Sequence, residues 1–419
     1  MTIAALPARV WRQPRRFLIM LVVLVALGAA GAPITVRYLR SVEGNDLRNW
    51  LIAVYSTVTE RTPRETANAV PLRYTVSNPL GVNTFLEQEV DLEKRRRTME
   101  MARNAGFHWL RQQFPWADIE PDEKGVFVGK FGENTWDKYD QIVALANELG
   151  LELIVRLDTS PKWARPGNPH VATPPTDLTN YGDYVDAVVS HFRGRVRYYQ
   201  IWNEPNLGVE WGMAPVDPVA ATELLRVGYT RAKRADPNAV ILAPALAPTI
   251  ADEPLAQNEL TFLQAMYDAG AAAYFDISSV QAYGLRNGPD DRRLRPQDVN
   301  FSRPVLFREV MVRNGDAVKP IWASEVGWNV PPPGNHESYD WGQVTEDQQA
   351  RYTVRAIERA RQEWPWMGVM NVWYLKRADD TDIRMLLAGF RLLDPDFTPR
   401  PVYSALQRYA RDSGYVPKP

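Results

Sequence analysis

The sequence predicts a (β/α)8 barrel, an α/β fold of eight parallel strands with crossover helices, preceded by an N-terminal transmembrane helix and tether. From about Pro79 onward, short β-rich runs alternate with amphipathic helical stretches. Eight such repeats can be counted, which is the number that closes a barrel. No glycine-rich phosphate loop follows the first strand, so the usual reason to prefer the alternative, a doubly wound open sheet, is missing.

The chain begins with a basic flank followed by an apolar run. Four arginines lie within residues 1–16, residues 17–32 are uninterrupted apolar positions, and no acidic residue precedes Glu43. Residues 17–36 are long enough to cross a bilayer as a helix, and the arginine excess places residues 1–16 in the cytoplasm and the body outside it. The alternative is a secreted protein whose signal is cleaved after the small residues 30–32, although Pro33 would then follow the cut.

Residues 37–78 mix charged residues, small residues and prolines, and they predict a juxtamembrane tether with a short helix over Val42–Thr57. The barrel is expected over residues 79–419. Its predicted strands are Leu80–Phe85, His108–Phe114, Leu151–Leu157, Val196–Trp202, Ala239–Ala245, Ile277–Ala282, Pro320–Ser324 and Val369–Tyr374. Its predicted helices are Leu92–Asn104, Trp136–Leu149, Tyr181–Phe192, Val219–Ala235, Leu260–Ala269, Pro304–Asn314, Thr345–Glu363 and Val402–Arg411.

Composition excludes several classes of function. The 49 basic and 50 acidic side chains nearly cancel, and without a long basic run nucleic acid is not expected as the main ligand. The chain has no cysteine, which rules out disulfides, thiolate metal sites and thiol catalysis. Its four histidines show no ligand spacing, so neither a metal nor another cofactor is expected.

Two glutamates end predicted strands. Glu204 follows the fourth strand and Glu325 ends the seventh. The carboxyl ends of barrel strands carry the chemistry of this fold, and a charge at the end of an apolar strand needs a partner. Two carboxyls about 5–5.5 Å apart are the arrangement that a retaining glycosidase requires. The alternative for either residue alone is a salt bridge at the barrel rim.

A resemblance to a known group rests on Trp202–Pro205, Ser324–Trp328, Asn371–Tyr374 and Gly389–Asp394. With these segments the chain resembles the clan A retaining glycoside hydrolases over about residues 79–411. That clan has the (β/α)8 fold, and its catalytic glutamates end strands four and seven. The chain looks nearest to glycoside hydrolase family 39, and its anchor resembles that of bacterial exopolysaccharide-associated members. The β-sandwich that often accompanies the family 39 barrel is not expected within this sequence.

The resemblance implies a role for each matching residue. Glu204 becomes the acid/base and Glu325 the nucleophile. Arg111 and Tyr283, at the ends of the second and sixth strands, match the clan's donors to the nucleophile. Asn203 matches the amide that binds the sugar 2-hydroxyl.

Aromatic residues gather at the same strand ends, where flat apolar faces suit sugar rings. Trp373 matches the clan's platform beneath the reacting sugar, and Gln281 stands where clan members often have a histidine that contacts the substrate. Trp116, Trp163 and Trp328 are candidates for sugar binding or for loop packing. Two long loops, 284–303 and 329–343, are expected to wall a groove or pocket.

The resemblance also makes two demands on the backbone. Adjacent strand residues face opposite sides, so Asn203 and Glu204 reach one sugar only if the fourth strand breaks its alternation, for which Pro205 is a candidate cause. Clan members commonly turn the platform tryptophan inward through a cis peptide, which predicts one between Trp373 and Tyr374.

The function implied by the resemblance is that of an O-glycosyl hydrolase, cleaving β-glycosidic bonds of an oligo- or polysaccharide outside the cytoplasm. The alternative is a non-catalytic, membrane-tethered, glycan-binding barrel. A pair of opposed carboxyls favours the enzyme, because a binding protein does not need them.

Overall fold

Eight parallel strands form a nearly closed barrel, as predicted. The computed structural model describes residues 35–36, 38–39, 41–42, 44–59, 64–331, 342–379 and 386–416. The barrel strands are β1 (Leu80–Thr84), β2 (Trp109–Pro115), β3 (Glu152–Asp158), β4 (Tyr198–Ile201), β5 (Val240–Leu242), β6 (Ser278–Tyr283), β7 (Ile321–Gly327) and β8 (Met367–Val372). Consecutive strands pair from β1 to β5 and from β6 to β8, and β8 pairs with β1. Two isolated parallel bridges, Leu242 to Ile277 and Leu246 to Val280, join β5 to β6.

Nine helices of ten or more residues belong to the described part of the chain. They are α1 (Asn45–Thr59), α2 (Leu92–Asn104), α3 (Trp136–Glu148), α4 (Leu178–His191), α5 (Pro218–Ala235), α6 (Glu259–Asp268), α7 (Arg303–Arg313), α8 (Glu346–Glu363) and α9 (Pro401–Asp412). The eight after α1 match the predicted barrel helices within three residues at each end.

Side-chain caps define several of these helix starts. Asp91 accepts hydrogen bonds from the amides of Glu93 and Lys94, and so begins α2. Thr345 and Gln348 form a reciprocal capping box at the start of α8. The caps satisfy amides that have no partner within the helix, which is why the helices begin where the sequence predicts.

The inside of the barrel has two zones. Apolar side chains from the early parts of the strands form one buried cluster, made of Trp109, Ile154, Val240, Leu242, Ile277, Trp322 and Val369. Further along the strands the buried side chains are polar and include Asn83, Arg111, Gln200 and Ser324. The apolar zone therefore supports a polar floor beneath the carboxyl ends of the strands, where a (β/α)8 barrel carries its site.

The predicted tether contains a helix that packs on the barrel. This helix, α1, spans Asn45–Thr59, close to the predicted Val42–Thr57. Residues 17–34 of the predicted anchor lie outside the described residues. Among the helices that the structure does describe, none is long and apolar enough to span a membrane.

Candidate active site

The backbone changes direction at the end of β4. Trp202 and Glu204 both have positive φ values, +60° and +40°, so the regular alternation of the strand stops after Ile201. The predicted break at the end of the fourth strand therefore exists, and it begins at Trp202, three residues before the candidate cause Pro205. Asn203 and Glu204 are adjacent in the chain, and the break lets both join the polar network at the carboxyl ends of the strands. We call this end of the barrel the mouth.

A second irregularity, which was not predicted from the sequence, lies in β7. Ala323 pairs with Val280 and Glu325 pairs with Gln281, so the register shifts at Ser324. An extra residue in a strand turns neighbouring side chains to the same face. Ser324 accordingly donates to Gln200 Oε1 at 3.2 Å inside the barrel, while Glu325 reaches the mouth.

Arg111 holds Glu325 in a buried hydrogen-bond network. Its Nη1 donates to Glu325 Oε1 at 2.9 Å, and its Nη2 donates to Asn203 Oδ1 at 2.7 Å. Tyr283 Oη donates to the other carboxylate oxygen, Oε2, at 2.6 Å. Burial and the Glu325 charge raise the pKa of Tyr283 well above its ordinary value, so the phenol stays a donor. Both oxygens of Glu325 are thus oriented by charge or hydrogen bond.

Glu204 lies in the opposite electrostatic environment. Gln281 Nε2 donates to its Oε1 at 3.0 Å, and this donor is neutral. Burial, followed by the negative charges of Glu325 and Glu210, raises the pKa of Glu204 well above its ordinary value. The two predicted catalytic carboxyls therefore share one mouth, and the environment of Glu204 favours the protonated form.

We expect Arg111→Lys to lower kcat/KM on the order of 10²-fold, because a single ammonium cannot replace the four bonds of the guanidinium fork. Besides Glu325 and Asn203, the fork contacts Gln200 and Asn83. The matched control is Arg308→Lys, another fully buried arginine that binds only backbone carbonyls outside the mouth. Steady-state kinetics and thermal melts on both variants check the prediction, and equal kinetic losses in the two would contradict it.

The predicted sugar-binding aromatics separate into two groups. Trp373 is partly exposed and lines a cleft with Phe85, Arg111 and Arg156, and the peptide bond between Trp373 and Tyr374 is cis, as predicted. Phe85 meets the Trp373 ring edge to face, with centroids 5.5 Å apart. Trp373 therefore lies beside Arg111, and its role as the platform for a sugar stays a prediction.

For Trp116 and Trp328 the structure favours loop packing, one of the two alternatives that the sequence left open, over sugar binding. Both are fully buried. Trp116 stacks on Tyr184, and the Trp328 indole donates to Asn287 O at 2.8 Å. Trp163 is partly buried, and its indole donates to Glu120 O at 3.0 Å. Strand-end position alone could not predict this, because an indole at a strand end can turn into the helix layer as readily as into the mouth.

The structure shows the contacts of Gln281 and of one of the two long loops. Gln281 is buried and donates a hydrogen bond to Glu204. It is therefore placed to orient the Glu204 carboxyl. The loop that follows β6 contains charged residues that form ion pairs within the protein: Asp290 binds Arg355, and Arg292 binds Glu363. In the second long loop, 329–343, residues 332–341 lie outside the described residues.

The mouth also contains three charged residues that were not predicted from the sequence: Arg156, Asp158 and Glu210. Arg156 Nε lies 2.7 Å from Asp158 Oδ2, and Gln113 Nε2 donates to Asp158 Oδ1 at 2.6 Å. Burial raises the pKa of Glu210, in the turn Gly208–Glu210, to about 7, with Arg156 opposing the rise and Asp158 adding to it. Arg156 and Asp158 lie at alternate positions of β3, whose residues between Glu152 and Asp158 are otherwise apolar, and this spacing was the available signal for them.

We expect Glu210→Gln to raise the melting temperature above pH 7 and to leave it little changed near pH 4. The pKa of Glu210 is higher in the folded state than in the unfolded state. Its contribution to folding stability is therefore fully present below about pH 4.5 and is lost as the pH rises through about 7. The neutral glutamine avoids that loss, on the order of 2 kcal/mol. Glu223→Gln, at an exposed helix glutamate, is the control and should show no such gain.

Glu210→Gln should also shift the basic limb of the pH profile of kcat/KM to lower pH. The negative charge of Glu210 helps to raise the pKa of Glu204, so its removal lets the predicted acid lose its proton earlier. A profile measured from pH 4 to 9 checks this shift, and an unchanged or more basic limb would contradict it.

Comparison with known proteins agrees with this geometry. Residues 68–261 match the family model for cellulase (glycosyl hydrolase family 5). In the described part of the chain, no group of three or more histidine, aspartate or glutamate residues is placed to hold a metal ion. No curated protein is significantly similar in sequence.

Solved structures share the fold at low identity. A family 39 glycoside hydrolase from Bacteroides cellulosilyticus WH2 has a TM-score of 0.61 and 22% identity, with coverage of 81% of this chain and 65% of its own. The GH39 enzyme from Xanthomonas axonopodis pv. citri has a TM-score of 0.56 and 17% identity, with 80% and 67% covered. A monomeric β-xylosidase from Caulobacter crescentus CB15 has a TM-score of 0.55 and 20% identity, with 80% and 69% covered.

These findings agree with the predicted resemblance to clan A glycoside hydrolases, because part of the chain matches a glycosyl hydrolase family model and the fold is shared with glycoside hydrolases of known structure. The family 39 enzymes among these structures share the fold of this chain at 17–22% identity. The chain spans slightly less than two thirds of the length of the first of them.

Proposed function

We propose that this protein is a retaining β-glycosidase that works by double displacement, with Glu325 as the nucleophile and Glu204 as the acid/base. The observation that carries the proposal is the contrast between two carboxyls in one mouth. Arg111 and Tyr283 hold Glu325 by its two oxygens, whereas burial and the charge of Glu325 favour a protonated Glu204. A nucleophile must be ionised and a general acid must hold a proton, so the two environments suit the two roles.

In the first step, Glu325 attacks the anomeric carbon while Glu204 gives its proton to the departing glycosidic oxygen. The bond to the leaving group breaks and a glycosyl ester forms on Glu325. In the second step, Glu204 takes a proton from water, the water oxygen attacks the anomeric carbon, and the carboxylate of Glu325 leaves. Two inversions give net retention of configuration.

Neighbouring residues would orient the sugar. Arg111 engages the amide oxygen of Asn203, which leaves the amide NH₂ group to meet the sugar 2-hydroxyl, a contact that strengthens in the transition state. Trp373, partly exposed in the cleft, would carry the apolar face of the ring.

The substrate we propose is a β-linked oligo- or polysaccharide outside the cytoplasm. The location rests on the sequence: a run of arginines precedes an apolar segment long enough to anchor the chain with its body outside. Because one structural neighbour is named a β-xylosidase, β-xylosides belong in the first set of substrates to test.

Hydrolysis of a panel of aryl β-glycosides and β-linked polysaccharides, followed by NMR of the first product, tests the proposal. We expect a β-anomer to form before mutarotation. An α-anomer would show inversion, and tight glycan binding without any hydrolysis would support the non-catalytic barrel instead.

A further inference from the structure

Helix α1 packs on the barrel through its polar side. Asn45, Asn49 and Ser56 are its buried residues. Asn45 Nδ2 donates to Gln343 O at 2.8 Å, and Asn49 Nδ2 donates to Tyr352 Oη at 3.0 Å. Ser56 Oγ accepts a hydrogen bond from the amide of Arg292 at 3.3 Å. An ordinary surface helix buries its apolar stripe, so this helix is oriented the opposite way.

Charged contacts fix the same orientation near the start of the helix. Asp46 forms an ion pair with Arg351 at 2.8 Å, and Tyr352 Oη donates to the same carboxylate at 2.7 Å. Burial is the largest influence on the pKa of Asp46, but the hydrogen bonds from Tyr352 and Arg351 outweigh it and lower that pKa. The carboxylate therefore stays ionised and holds the helix against α8.

The apolar residues of α1 form an outward stripe. At 100° per residue, Leu47, Leu51, Val54 and Val58 fall within about 60° of one another, opposite the buried polar residues. Val54, Tyr55 and Val58 are 38%, 53% and 54% exposed, and Leu47 and Leu51 are partly exposed. We name these five residues the outer stripe: Leu47, Leu51, Val54, Tyr55 and Val58.

The chain before α1 indicates what covers the outer stripe. The apolar run of residues 17–36 ends nine residues before the helix begins, and such a linker can extend over about 30 Å at most. If the run crosses a bilayer, α1 stays at its surface. Val36 and Tyr38, which precede the helix, are also exposed, at 46% and 48%.

We propose that α1 is an interfacial helix whose outer stripe lies in the surface of the bilayer that the N-terminal segment crosses, while its polar side holds the barrel. The proposal rests on the anchored location proposed above, and not on the catalytic assignment. Because the barrel contacts of α1 come from the loop after β6 and from the start of α8, the membrane would lie beside the rim of the barrel mouth.

Site-specific labelling tests this on the full chain, which has no cysteine. Val54→Cys, Val58→Cys and the control Val318→Cys each carry one polarity-sensitive fluorophore in vesicles that contain spin-labelled lipid. Val318 matches Val54 in type and exposure, 37% against 38%, but lies in the loop that enters β7, at the other end of the barrel. We expect lipid quenching and a blue shift severalfold larger at positions 54 and 58 than at position 318.

Other outcomes overturn the proposal. Equal quenching by aqueous iodide at all three positions would show that the outer stripe faces water. Protection from iodide without lipid quenching, dependent on the protein-to-lipid ratio, would show that a second copy covers it. A chain that does not associate with vesicles would contradict both the anchor and the interfacial helix. Hydrolysis of a soluble aryl glycoside by the same samples reports separately on the glycosidase assignment.

A substitution in the outer stripe provides the second measurement. Leu51→Asp combined with Val54→Asp should abolish lipid quenching of the label at position 58, because two carboxylates cannot enter the apolar boundary of the bilayer. Activity on a soluble substrate should remain, since neither residue belongs to the proposed site. Unchanged lipid quenching in this variant would contradict the role of the outer stripe.

Discussion

Glu325→Gln is expected to lower kcat on the order of 10⁴-fold or more, because an amide cannot form the glycosyl ester. The glutamine keeps nearly the same shape: its amide oxygen can accept from Arg111, and its NH₂ group can donate to Tyr283 Oη. Substrate affinity should therefore change little. Single-turnover kinetics and a binding isotherm with the unreacted substrate separate the two quantities. A variant that retains wild-type turnover would contradict the assignment.

Loss of stability in Glu325→Gln needs its own control, because the substitution leaves the buried Arg111 guanidinium without its counter-ion. The chain contains a matched buried pair, Glu259 with Arg303, outside the mouth. Glu259→Gln removes a buried charge from an arginine in the same way. We expect both variants to melt at lower temperature and only Glu325→Gln to lose turnover.

Glu204→Ala is expected to slow hydrolysis of substrates with poor leaving groups by about 10²–10⁴-fold and to spare the first step for activated aryl glycosides. A good leaving group departs without a proton, so only the second step then lacks its base. Added azide should take the place of water and give a β-glycosyl azide. The rates are measured across aryl leaving groups of different pKa, with product analysis by NMR.

Glu210→Ala is the matched control for azide rescue, since Glu210 is a second carboxyl of raised pKa in the same mouth. We expect no glycosyl azide from that variant. If azide rescued Glu210→Ala and not Glu204→Ala, the acid/base role would belong to Glu210.

The barrel could be predicted from the sequence because its periodicity is strong and local. Each β-rich run is followed by a helical stretch, and side-chain caps such as Asp91 and Thr345 mark the starts of some of these helices. The break after β4 could also be predicted, because two adjacent residues, Asn203 and Glu204, had to share one face. Its location at Trp202 depends on left-handed backbone values that no residue type in this segment reveals.

The side-chain directions at the strand ends were harder to predict. Trp116, Trp328 and Trp373 all follow apolar strands, yet only Trp373 lines the cleft. Burial of the other two depends on partners distant in sequence, such as Tyr184 for Trp116. Glu210 was missed for a related reason: it lies in a short turn after β4, and its raised pKa arises from burial and from Asp158 on a different strand.

The most direct test of the account is to trap the glycosyl ester. A 2-deoxy-2-fluoro β-glycoside with an activated leaving group slows the second step, and mass spectrometry of the digested protein locates the attached sugar. The account predicts one sugar per chain, on the peptide that contains Glu325, and no labelling of Glu325→Gln. A sugar attached to another residue, or rapid hydrolysis with an inverted product and no adduct, would contradict it.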